Sequence, residues 1–119
     1  MEIFREFTFE AAHSLPRVPP GHKCARMHGH SYVVEVHVTG PVDPVTGWVM
    51  DFGDVKDAFA PLLAQLDHCV LNEVPGLDNP TSENLAVWIW HVLAEDLPLS
   101  AVQVRETRTS GCVYRGDAE

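Results

Sequence analysis

Positive charge, paired cysteines and long apolar runs are all scarce in this sequence, and each scarcity closes off a class of protein. Eight Lys and Arg stand against seventeen Asp and Glu, a formal net charge of −9 over 119 residues. A general nucleic-acid binder would instead carry a basic face. The three cysteines, Cys24, Cys69 and Cys112, are odd in number and show no Cys-x-x-Cys spacing, which favours reduced thiols over a disulfide framework. No stretch approaches the roughly 20 apolar residues of a membrane span, and Met1 to Glu6 has none of the pattern of a signal peptide. The expected location is cytoplasmic, with no nucleic-acid and no membrane partner. With 45% hydrophobic and 21% charged residues the balance is that of a globular protein, and the length suits one domain, residues 1–119.

What the sequence does have is histidine in a telling place. Cys24-Ala25-Arg26-Met27-His28-Gly29-His30 puts a thiol and two imidazoles within seven residues and then runs into an alternating stretch. If Ser31 to Thr39 is a strand, His28 and His30 share a face with Tyr32, Val34, Val36 and Val38, the apolar inward one. His13 closes an earlier alternating segment whose odd positions Ile3, Phe7, Phe9 and Ala11 are also apolar. Three imidazoles therefore approach one interior from two strands. Three histidines without a cysteine pair match a catalytic zinc site with an open coordination position better than a structural four-ligand site. Cys24 is either a fourth ligand or a reactive thiol beside the metal.

The order of elements reads as strand, strand, helix, helix, strand, strand. Glu2 to His13 is a strand, and Pro16, Pro19, Pro20 and Gly21 make a long loop that delivers Cys24. The second strand ends near Thr39, and Trp48 to Met50 is expected to extend the sheet briefly. Val55, Phe59, Leu62, Leu63 and Leu66 recur at helical spacing, with a kink expected at Pro61. Asn72 to Asn79 is a polar loop. Thr81 or Ser82 then caps a second helix that buries Leu85, Trp88, Ile89, Val92 and Leu93. Ala101 to Thr107 and Cys112 to Arg115 are strands joined by a turn at Ser110-Gly111. Such a chain forms an α+β fold, a four-stranded antiparallel sheet with two helices on one face, whose open edges invite oligomers. Glu106 continues the inward parity of Val102 and Val104, so it requires either an arginine or a hydrogen-bond-donating ligand. Asp67-His68 follows at the helix end and by itself reads as a helix-terminal histidine favoured by the dipole. Arg17, Lys23 and Arg26 lie in a stretch from Ala11 to Val34 that has no Asp or Glu, a local cationic region suited to an anionic ligand.

Together Phe7 to His13, Gly21-His22-Lys23-Cys24, His28-Gly29-His30, Leu66-Asp67-His68, Asn79 to Asn84 and Glu106-Thr107 resemble the 6-pyruvoyl-tetrahydropterin synthase family along nearly the whole chain. The Cys-x-x-x-His-x-His spacing is similar to its carboxy-forming, queuosine-pathway branch. The resemblance implies the tunnelling fold, oligomerising into a barrel as a homo-oligomer, a hexamer built as a dimer of trimers with active sites at subunit interfaces. It implies Zn2+ on His13, His28 and His30, catalysis by Cys24, Asp67 and His68, and pterin binding by Glu106, Thr107, Thr81 and Ser82. The implied reaction is that of a carbon-carbon lyase. It converts 7,8-dihydroneopterin triphosphate to 6-carboxy-5,6,7,8-tetrahydropterin, with release of acetaldehyde and triphosphate. The competing expectations are triphosphate elimination without acetaldehyde release, and a zinc-stabilised assembly module without turnover. Arg17, Lys23 and Arg26 are the expected triphosphate contacts.

Overall fold

The longest alternating segments form the centre of the sheet. In the computed structural model, which describes residues 1–117, strands β1 (Glu2–His13) and β2 (His28–Thr39) pair antiparallel over their full length, from Glu2 opposite Thr39 to His13 opposite His28. Opposed residues share a face, so the odd positions of β1 and the even positions of β2 form one surface. That surface is the core side: Phe9, Tyr32, Val34, Val36 and Val38 are all buried. β-Branched valines on a half-buried pleat fix the register, because a slip of one residue would turn each of them to solvent. Strand β4 (Leu99–Thr107) adds Val102 and Val104 to the same surface by pairing with β2, and β5 (Ser110–Tyr114) pairs with β4.

Helices α1 (Phe52–Leu66) and α2 (Ser82–Leu93) cover this face. Helix α1 starts at Asp51, whose carboxylate accepts from the Gly53 amide at 2.8 Å, and buries Val55, Phe59, Leu62 and Leu66. Pro61 lies within it, and the helix runs on to Leu66. Pro61 and Asp57, the residue whose carbonyl loses its partner, are both exposed, so water can take that carbonyl. Thr81 caps α2 by accepting from the Asn84 amide at 3.1 Å. Its buried side is Leu85, Ala86, Ile89 and Leu93, whereas Val92, expected inward, is 40% exposed.

Three other expectations change. The sheet has five strands rather than four, in the order β3-β1-β2-β4-β5, because Cys69–Val70 forms a short β3 parallel to the outer edge of β1. Trp48 to Met50 is a bend instead of a strand. The β4–β5 hairpin turns at Arg108-Thr109, two residues earlier than expected, and Gly111 sits in the strand opposite Arg105. A Cβ at Gly111 would lie 2.9 Å from the Arg105 Cα and closer still to the Val104 carbonyl oxygen. Glycine is therefore required there by close approach of two backbones. The loop after β3 is polar in composition but anchored by buried Leu71, Val74 and Leu77. Among the described residues no helix is long and apolar enough to cross a membrane.

Candidate active site

The end of the β1–β2 ladder carries the histidines. His13 is opposite His28, and His30 is opposite Ala11, so all three rings stand on the core side of the sheet. His13 is 1% exposed, and one nitrogen of each ring lies within 4.8 Å of the other two. The rings meet edge to face, with centroids 4.6 to 5.1 Å apart.

The backbone around them fixes which nitrogen faces inward. His13 Nδ1 is 2.7 Å from the Pro80 carbonyl, and His28 Nδ1 is 2.7 Å from the Arg26 carbonyl. A carbonyl can only accept, so both Nδ1 atoms carry the hydrogen and both Nε2 atoms present lone pairs. Those two Nε2 atoms face each other at 3.0 Å. Two lone pairs at that separation repel, and a metal ion or a proton between them would relieve the contact. His30 Nε2 is buried with no hydrogen-bond partner. Carbonyl-anchored imidazoles with free Nε2 atoms are the usual arrangement around a catalytic metal. Tetrahedral zinc holds its nitrogens at about 2.0–2.1 Å, so the donor set and spacing fit that ion. Burial pushes the His13 ring below its ordinary value near 6.5, with the neighbouring imidazoles adding to the shift, which keeps it in the form that binds metal.

Glu106 stands at the lip of this cluster, its carboxylate 3.7 Å from His30 Nε2. The ladder between β4 and β5 shifts register between Arg105 and Thr107, and such irregularities re-aim a side chain. A cleft of about 340 Å³ is lined by Leu15, Thr81, Ser82, Glu83 and Glu106 among others. The structure thus brings Thr81 and Ser82 to Glu106. Thr107 is turned into the hairpin, where its hydroxyl bonds that of Ser110 at 2.6 Å. Cys24 is half-buried on a single 3-10 turn, Lys23–Ala25, and its carbonyl accepts from the Leu15 amide at 2.9 Å. That bond ties its loop to the residue lining the Glu106 cleft. Lys23 and Arg26 are exposed beside it. Arg17 opens on a different groove, with Asn84, Trp88 and His91.

Asp67 and His68 form a pair, Nδ1 to Oδ1 at 3.0 Å. Asp67 also accepts from the Glu10 amide at 3.0 Å, and this bond, with help from His68, holds its carboxyl below the ordinary carboxylate range. His68 adopts φ +58, a conformation rare for a residue with a Cβ, and its amide donates to the Glu10 carbonyl at 2.6 Å. His68 lines a cleft of about 470 Å³ with Glu10, Ala12, Ser31 and Cys69, and His30 of the histidine cluster also borders it. His68 is 77% exposed.

Sequence reasoning missed the Pro80 and Arg26 carbonyls, which no side-chain pattern reveals. It placed Tyr32 on the inward face without a role. The signal was there, since a buried phenol must find a hydrogen-bond partner.

A helix-backed sheet with a three-histidine pocket beside an inward carboxylate defines an α+β protein of the tunnelling fold with a candidate metal centre. The sequence profile of the family described as 6-pyruvoyl tetrahydropterin synthase matches residues 2–117. The chain is 44% identical to 6-carboxy-5,6,7,8-tetrahydropterin synthase of Synechocystis sp., covering 94% of this chain and 91% of that protein. It is 41% identical to 6-pyruvoyl tetrahydrobiopterin synthase of Homo sapiens over 76% of this chain and 67% of that one. Among solved structures, 6-pyruvoyl tetrahydropterin synthase of Caenorhabditis elegans superposes with a TM-score of 0.89 at 28% identity, covering 98% and 96% of the two chains. The chain belongs to the 6-pyruvoyl tetrahydropterin synthase family.

Proposed function

We propose that residues 1–119 form a single zinc-dependent catalytic domain, a carbon-carbon lyase. It converts 7,8-dihydroneopterin triphosphate to 6-carboxy-5,6,7,8-tetrahydropterin, releasing acetaldehyde and triphosphate, on the cytoplasmic route to queuosine. The observation that carries this is the pair of carbonyl-anchored imidazoles whose Nε2 atoms meet at 3.0 Å beside a third, unpartnered one. Identity of 44% to the Synechocystis synthase supports the choice of branch, as does the spacing from Cys24 to His30.

His13, His28 and His30 hold the ion. Bound zinc supplies a Lewis acid for oxygens on the substrate side chain. Glu106 accepts paired N–H donors from the pterin ring, a geometry in which a carboxylate binds strongly, and Thr81 and Ser82 frame that ring, while Thr107, bonded to Ser110, only supports the strand end that presents Glu106. Cys24 acts as the general base, and Lys23 and Arg26 beside it contact the triphosphate. Arg17 opens on a separate groove and joins them only through movement of its loop. Asp67 holds the Nδ1–H of His68, leaving Nε2 to move the second proton. Because His68 is 77% exposed, next to the short strand at the edge of β1, the pair serves a site in another copy of the chain. That requires a homo-oligomer, for which a hexamer built as a dimer of trimers is the proposed form.

The test is incubation with dihydroneopterin triphosphate, with and without chelator, assayed for acetaldehyde. Chelator-sensitive acetaldehyde release supports the reading. Triphosphate release without acetaldehyde would instead give the pyruvoyl-forming activity, a second reading favoured by the likeness to the human synthase. Zinc binding without turnover would leave a metal-stabilised assembly module.

A further inference from the structure

The residue that closes the back of the histidine cluster belongs to none of the roles above. Tyr32 is fully buried. Its ring stacks on Phe9 at 5.0 Å and 11° and stands edge to face against His13 and His30, with centroids 5.9 and 5.6 Å away. Its hydroxyl lies 3.1 Å from His13 Nδ1. We propose that Tyr32 is the positioning residue of the metal site, its hydroxyl and the Pro80 carbonyl together fixing the tautomer and rotation of His13 so that Nε2 points at His28 and His30. The inference rests on the metal reading of that cluster.

The hydrogen accounting is specific. Pro80 O can only accept, so the single Nδ1 hydrogen of His13 is aimed at it, at 2.7 Å. The phenol oxygen takes the second share of the same hydrogen from another direction. With two acceptors the His13 ring is held about χ2. With Pro80 alone the ring retains one anchor and can rotate, and Nε2 spends less time facing the other ligands. Partners of this kind on metal-binding histidines are worth about 10–100-fold in metal affinity. Pro80 immediately precedes Thr81, so the same clamp joins the metal ligand to the wall of the Glu106 cleft.

Tyr32→Phe separates the hydroxyl from the ring, because phenylalanine keeps the stack on Phe9 and the edges toward His13 and His30. The experiment is zinc titration of the metal-free protein against a chromophoric chelator, with no substrate present. The expected result is zinc binding weaker by about 10–100-fold, with the melting temperature of the metal-free protein and its assembly unchanged. Equal affinity in Tyr32→Phe and the parent would overturn the positioning role and leave Tyr32 as packing. A parent chain that binds no zinc would remove the metal reading and this role together, so the two failures are distinguishable. Should Tyr32→Phe not fold, fluorotyrosine placed at position 32 keeps the shape and makes the oxygen a poorer acceptor. Weaker zinc binding then supports the role, and unchanged or tighter binding overturns it.

Discussion

Two groups of polar side chains sit at the same end of this sheet and are built in opposite ways. The histidine cluster is inward-facing and drawn from one chain: His13 is 1% exposed, His28 and His30 are half-buried, and two of the three have an Nδ1 anchored on a backbone carbonyl. The Asp67–His68 pair is solvent-facing, 37% and 77% exposed, beside the edge of β1. A ligand set for an ion must be preorganised, because each free ring would have to be ordered when the metal binds. A proton-transfer group that meets its target across an interface has to be left open until that interface forms. The contrast marks which half of the proposed site one chain supplies alone.

Removing the preorganised half has the largest expected effect. His28→Ala deletes the ring opposite His13, and metal content and turnover should vanish together, read by zinc analysis and by acetaldehyde assay. Full zinc occupancy in this variant would contradict the ligand assignment. Cys24→Ala should keep the metal and the assembly and lower kcat by about 10²–10⁴-fold, the usual span for a lost general base. Retained turnover would assign the base elsewhere. Glu106→Gln keeps shape but loses the charged acceptor, and hydrogen bonds to charged groups are worth about 1.5–3 kcal/mol. The expected loss in kcat/KM is therefore about 10–150-fold, with zinc still bound.

The smallest effect concerns the metal-free protein. Burial lowers the folded-state value of His13 below its ordinary 6.5, so the unfolded chain binds more protons than the folded one once pH falls under that value. Stability should hold above about pH 6.5 and decline as pH drops through and below it. Melting curves between neutral and mildly acid pH would show this, and His13→Gln should flatten the dependence. A steeper decline in that variant would assign the effect to other groups.

The cluster was legible in the sequence because strand parity is a strong signal: His28 and His30 continue Tyr32, Val34, Val36 and Val38, and His13 continues Phe7, Phe9 and Ala11. Glu106 was legible for the same reason, as an inward carboxylate at a strand end. The N-cap at Thr81 followed from its chemistry. What could not be read depends on contacts between distant backbones. Cys69–Val70 becomes a strand because Asp67 and His68 bond to Glu10, and two residues carry no periodicity of their own. The hairpin turn falls at Arg108-Thr109 because Gly111 is needed where β4 approaches closely, which displaced the expected Ser110-Gly111 turn. Trp48 to Met50 has strand-forming residues but bends in the loop that leads into α1.

The division between the two halves is tested most directly by mixing. Cys24→Ala and His68→Ala, each inactive alone, would be co-expressed so that single assemblies contain both chains. If Asp67 and His68 complete a site on another copy, some sites in the mixed assemblies combine an intact Cys24 with an intact His68, and lyase activity returns. If activity stays at the level of the two separate variants while the chains are shown to co-assemble, each chain must contain its own pair, and the two-part site is wrong.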